Sequence, residues 1–140
     1  MSDRPTLLVA LNLAGDAETL CLKAAGLARR MGADVVLLHV VELPVGVSAD
    51  APVRVMDAPG PTSARDMLRA DAVKHLEPLI DLMRMHGTDA ELLLRSGRAP
   101  EQVAAVAREL APLMILVGSD VATGLRRLFQ TSVTEAIILA

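Results

Sequence analysis

Aromatic residues are almost absent from this chain: Phe129 stands alone, and there is no tryptophan or tyrosine. The core must therefore be built from leucine, valine, isoleucine, alanine and methionine, and the flat platforms on which single-stranded nucleic acids stack are missing. Cysteine is nearly as scarce. Cys21 is the sole one, which excludes an intrachain disulfide and a thiolate metal cluster and fits a reducing compartment. Positive charge is not in excess: 14 Lys and Arg face 17 Asp and Glu, the net charge is -3, and no dense basic block makes nucleic acid an expected partner. Long apolar runs are lacking too. The stretch from Leu7 to Ala14 is interrupted by Asn12 and is far too short to cross a bilayer, so a cytoplasmic protein without membrane contact is expected.

What is present is enough for one well-filled core. With 140 residues, 52% of them hydrophobic, residues 1–140 are read as a single domain. Thr6 to Leu11 is a short apolar run suited to a strand covered on both faces. Asp16 can cap the helix that follows, in which Ala17, Leu20, Cys21, Ala24, Leu27, Ala28 and Met31 recur at three- and four-residue steps and Gly32 supplies the stop. A second buried strand is expected at Asp34 to Val41. The prolines and glycines between Glu42 and Thr62 predict an irregular loop or flap. Ser63 then opens a long helix to about His86, with Pro78 placed to kink it and Gly87 to close it. Asp89 to Ser96 reads as a third, edge strand, Pro100 as the first turn of a third helix, and Leu113 to Gly118 as a fourth strand. This alternation predicts an α/β fold, a Rossmann-like open parallel sheet sandwiched by helices, in strand order 3-2-1-4.

In such a sheet, ligands sit outside the carboxyl ends of the strands where the order reverses. That brings Asn12 and Gly15, after the first strand, opposite Gly118, Ser119 and the Gly124 loop, after the fourth. Gly118 permits close backbone approach, Ser119 and Ser132 offer hydroxyls, and a helix starting near Ser132 would direct unpaired N–H groups at an anion. A solvated strand-to-helix turn with a glycine in it is the alternative reading of the same residues.

Taken together, Val9–Asn12, Leu37–Val41, Arg98–Glu101 and Val117–Leu128 resemble the universal stress protein family over nearly the whole chain. The resemblance implies a small cytoplasmic, usually dimeric protein with an adenine-nucleotide alpha hydrolase-like fold. Members that bind ATP carry a G-x-x-G-x(9)-G-S/T pattern, and others lack it. On this chain Gly118 matches the first glycine and Ser132 the closing hydroxyl, but Val121 stands at the second glycine and Thr131 at the third. Asn12 takes the place of an aspartate that accepts hydrogen bonds from the nucleoside in nucleotide-binding relatives. The cofactor-binding positions implied are thus Asn12, Val40, Gly118, Ser119, Val121, Thr131, Ser132 and Val133. Two β-branched residues are poor replacements for glycines that wrap a phosphate, so no cofactor is expected, with ATP the alternative. The family's last strand, which covers the sheet edge and forms the dimer contact, has no clear counterpart after Ser132. Either residues 134–140 are helical and Met114–Val117 is a bare edge, or Ala136–Leu139 pairs there as a replacement. An apolar edge invites a partner, and a homodimer is expected, with other protein partners unknown.

Other polar residues carry less. His39 lies inside an apolar strand and reads as a core histidine bonded to neighbouring backbone. His75 and His86 share a helix face but have no third ligand at metal spacing. Arg126 and Arg127 beside Gly124 could steer an anion, and Glu101 suits the first turn of its helix. Paired carboxylates, a nucleophile with a neighbouring base and a phosphate-binding lysine of the P-loop kind are all missing, so catalysis is not expected. The leading function is a noncatalytic stress-response or regulatory module, and the alternative is an ATP-binding switch.

Overall fold

Thr6–Leu11 forms strand β1, and its residues from Leu7 onward are all buried rather than alternating between core and solvent. A strand buried on both faces must lie inside a sheet with a layer packed on each side. That is where the computed structural model, which describes residues 4–11, 17–42, 52–53, 62–117 and 137–139, places it. β1 pairs in parallel with β2 (Asp34–Val41) on one side, and β2 in turn with β5 (Ala90–Ser96). On the other side β1 pairs in parallel with β6 (Met114–Val117). The four strands expected from the sequence therefore lie in the order expected of them, with the charged start of β5 at one edge.

The sheet does not stop at β6. Ile137–Leu139 forms a further strand, β7, parallel to β6, with Ile115 opposite Ile137 and Val117 opposite Leu139. Of the two endings open to the sequence, replacement pairing is the one adopted, and the Met114–Val117 edge is covered. The five-stranded order is β5-β2-β1-β6-β7. A second departure concerns the segment read as irregular. Pro52–Val53 (β3) and Thr62–Ser63 (β4) form a short antiparallel ladder, with Pro52 opposite Ser63. Residues 43–51 and 54–61 lie outside the described residues.

Helix boundaries follow local chemistry. Helix α1 (Ala17–Met31) ends at Gly32, whose φ of 63° is the left-handed conformation that lets the Ala33 N–H turn back to the Ala28 carbonyl at 2.9 Å. Helix α2 (Ala64–Met85) begins at Ser63, whose Oγ accepts from the Asp66 N–H at 3.1 Å, and it continues through Pro78 on its exposed side. Its exit repeats the device of α1: at Gly87, φ 83°, the Thr88 N–H reaches the Met83 carbonyl at 3.0 Å. Helix α3 (Ala99–Leu110) ends at Ala111, which adopts φ 47° without the freedom of glycine.

The period-two alternation of β1 sorts the core into two halves. Leu7, Val9 and Leu11 pack with Leu20, Cys21 and Ala24 of α1 and Leu76 and Met83 of α2. Leu8 and Ala10 face the other way, onto Val103, Val106 and Ala107 of α3. Helices α1 and α2 thus cover one face and α3 the other, the layering that parallel crossovers of one hand produce.

Candidate functional site

The change of face locates the crevice. The crossover from β1 to β2 runs through α1 on one side, whereas the crossover into β6 runs through α3 on the other, so the strand order reverses between β1 and β6. Open parallel sheets bind ligands outside the carboxyl ends at such a reversal. Here those ends are Leu11 and Val117, on adjacent strands whose last paired residues are Ala10 and Val117. Asn12 and Gly118 are the next residues of the two segments. They, with Gly15, Asp16, Ser119, Val121, Gly124, Arg126, Arg127, Thr131, Ser132 and Val133, lie outside the described residues. Of the site residues named from the sequence, Val40 is the one the described structure contains. It is half-buried near the carboxyl end of β2 and packs on the α3 side of the sheet.

His39, its neighbour, faces the other way and lies opposite Leu11 in the register. Its Nδ1 is 3.3 Å from the Leu11 carbonyl oxygen, and because a carbonyl only accepts, Nδ1 must carry the proton. The half-buried ring therefore braces the end of β1 at the mouth of the crevice. Glu42, one residue beyond β2, does something the sequence did not reveal. Its Oε1 accepts a hydrogen bond of 2.6 Å from the Ala99 N–H, the first of α3, where Arg98 provides no side-chain cap. A carboxylate placed at the positive end of a helix satisfies an orphan donor and opposes the helix dipole. Nothing local could have signalled it, since the partners are 57 residues apart. At the end of β5 the buried Ser96 Oγ has no hydrogen-bond partner among the described residues, and Gly97 bonds back to the Val41 carbonyl at 3.1 Å.

Cys21, His75 and Glu101 stand on the helices. Cys21 is fully buried, and burial, with the nearby Glu18 carboxylate adding to it, pushes its thiol up to about 11. A thiol held protonated in this way is a core side chain and a poor nucleophile. His75 Nδ1 is 2.9 Å from the Asp71 carbonyl one turn earlier, on the exposed side of α2. Among the described residues no three His, Cys, Asp or Glu side chains come together as a metal site. Glu101 lies in the first turn of α3, 3.8 Å from Arg98. No described helix is long and apolar enough to cross a membrane.

The model of the universal stress protein family matches residues 4–140 of this chain. The chain belongs to that family. Its fold agrees with solved relatives: a universal stress protein from Burkholderia pseudomallei superposes with a TM-score of 0.72 at 22% identity, covering 100% of this chain and 98% of the other. The universal stress protein from Archaeoglobus fulgidus, in complex with dAMP, gives 0.69 at 21% identity over 99% and 98% of the two chains. A universal stress protein in complex with cAMP gives 0.70 at 13% identity, again over 99% and 98%. No curated protein sequence matches the chain. At these identities the likeness of this universal stress protein to its solved relatives is one of fold, and its crevice has to be judged on its own residues.

Proposed function

We propose that this universal stress protein is a noncatalytic regulatory module that works as a homodimer and does not hold ATP tightly. The observation that carries the reading is the pair Val121 and Thr131, β-branched residues where the ATP-binding members of the family have glycine, in the segment that follows β6. A triphosphate tail needs backbone N–H groups at close range, and a Cβ at those positions obstructs the approach. Catalysis has little to work with among the described residues. The buried thiol is held protonated, and Nδ1 of His39, the histidine nearest the crevice, is committed to a backbone carbonyl. Calorimetric titration with ATP is expected to give no tight binding to the natural chain and at least tenfold stronger binding to a Val121→Gly/Thr131→Gly double variant. Stoichiometric ATP carried through purification of the natural chain would overturn the reading.

A second reading is a nucleotide-dependent switch. It is favoured by the relatives solved with dAMP and with cAMP, because a single phosphate group makes fewer demands on the cradle than three. Gly118, Ser119 and Ser132 would serve the phosphate, and Asn12 and Val40 the nucleoside. The same titration separates the two readings: AMP binding much more tightly than ATP supports the switch.

A further inference from the structure

Gly26 lies in the middle of α1 with its backbone exposed, and no fold requirement places it there. A Cβ built on it meets nothing within 4 Å, and its φ is not the left-handed one that glycine serves elsewhere in the chain. Glycine inside a helix is disfavoured relative to alanine, so this position weakens α1 with no return among the described residues. The missing side chain opens a notch. Its walls are the residues one helical turn away on either side, Leu22 and Lys23 before it and Arg29 and Arg30 after it. From the notch a shallow groove of about 380 Å³ runs past Leu27 to the buried side chains of Leu20 and, from β6, Leu116. A second opening, beside Arg29 and Arg30, adjoins it through Gly26.

Two properties of the groove define what fits it. Its lining is largely leucine, and Leu22 leaves 37% of its surface in solvent. Its rim is cationic, with Lys23 and Arg30 lining it and Arg29 beside the adjoining opening; all three are exposed and none is in an ion pair with a described residue, whereas Arg4, Arg84, Arg95 and Arg98 each have a carboxylate partner. A positive rim on a chain of net charge -3 is opposite in sign to the molecule as a whole. We infer that the α1 groove around Gly26 is a docking surface for an acidic peptide segment of another protein, an aliphatic anchor lying on the leucines and carboxylates pairing with Lys23, Arg29 and Arg30. Arginine clusters recognise carboxylates through charge-assisted, two-pronged hydrogen bonds, and apolar anchors in a groove supply most of the affinity. A nucleic acid shares the negative charge but finds no aromatic platform, since Phe129 is the chain's single aromatic residue. Val40, the described residue of the crevice, does not line this groove, and the inference does not depend on what binds at the crevice.

The test is selection of a displayed library of random 12-residue peptides on the full chain, followed by fluorescence anisotropy of the enriched sequences on two variants. Gly26→Gln fills the notch with a helix-favouring side chain, and Arg30→Glu reverses one charge of the rim. Both are exposed positions, and thermal melting checks that each variant stays folded, with Gly26→Gln melting no lower than the natural chain. The enriched peptides should be net acidic with one or more leucine-like residues and bind at least tenfold more weakly to each variant. Their binding should also weaken as salt is raised. The inference is overturned if no peptide is enriched, if the enriched peptides carry no net negative charge, or if they bind both variants as well as the natural chain. Stronger binding of a DNA or RNA oligonucleotide at the groove, or an Arg30→Glu variant that turns a dimer into a monomer, would likewise reject it in favour of a nucleic acid or a second copy.

Discussion

Cys21 is the side chain whose chemistry is most altered by its surroundings. Its ordinary value of 9.0 is raised to about 11 inside the fold. Unfolding then exposes a thiol that ionises more readily than the folded one. Between pH 9 and about 11 the folded chain holds a proton that the unfolded chain releases, so stability falls as pH rises across that window and is unaffected by this group below it. Denaturant titrations from pH 7 to 11 should show that decline, and Cys21→Ala should remove part of it while costing some stability at every pH through lost packing. At pH 8 the folded chain should also react with a thiol reagent only as fast as it opens, with the rate rising on addition of denaturant. Fast stoichiometric labelling of the native chain would show that the thiol is neither buried nor suppressed. The core role of Cys21 was legible from its place in the α1 repeat, because period and residue type are local. The raised thiol was not, because its larger cause, burial, comes from layers brought in by distant segments, with Glu18 of the same helix adding to it.

Much of the element pattern was legible for the same reason. Apolar runs of strand length, three- and four-residue repeats, Ser63 at the start of α2 and the glycines at Gly32 and Gly87 are all signals spoken within a few residues. What escaped the sequence is pairing between distant segments: β3 with β4 across a proline-rich stretch and the Glu42 carboxylate at the start of α3, while the pairing of β7 with β6 stood there only as one of two alternatives. The candidate site was read from its motif, and of its residues only Val40 lies in the described part, so geometry supports the position of the crevice more than its contents. The Glu42 contact makes a direct prediction about its element. Because Ala99 has no other cap, Glu42→Ala should lower stability by about 1 kcal/mol, the usual cost of losing a helix N-cap. Amide exchange should speed up in the first turn of α3, from Ala99 to Gln102, more than in α2. Glu42→Gln keeps the acceptor and loses the charge, so it should recover part of the loss. Equal exchange in the Glu42→Ala variant and the natural chain would mean that the bond does not hold that helix end.

The sheet as a whole has two edges of unequal quality. On one side β5 carries Glu91 and Arg95, charges that discourage a further strand. On the other, β7 consists of Ile137, Ile138 and Leu139 and carries no charge at all. A short apolar strand at the edge of the sheet, with no further strand paired to it among the described residues, is the place where the proposed homodimer would form, by adding a second copy's strand or covering its face. Successive N–H groups along a strand point to opposite sides, so of Ile137 and Ile138 one donates toward β6 and the other toward the open edge. Proline at the first kind of position breaks the join of β7 to the sheet, and at the second it blocks only the edge. Sedimentation velocity on Ile137→Pro and Ile138→Pro is therefore expected to find a monomer in at least one variant that melts close to the natural chain. The other variant should melt lower, because Met114–Val117 loses its cover. Two variants that both remain dimeric would move the contact away from this edge, and a natural chain that sediments as a monomer at high concentration would remove the homodimer from the proposal altogether.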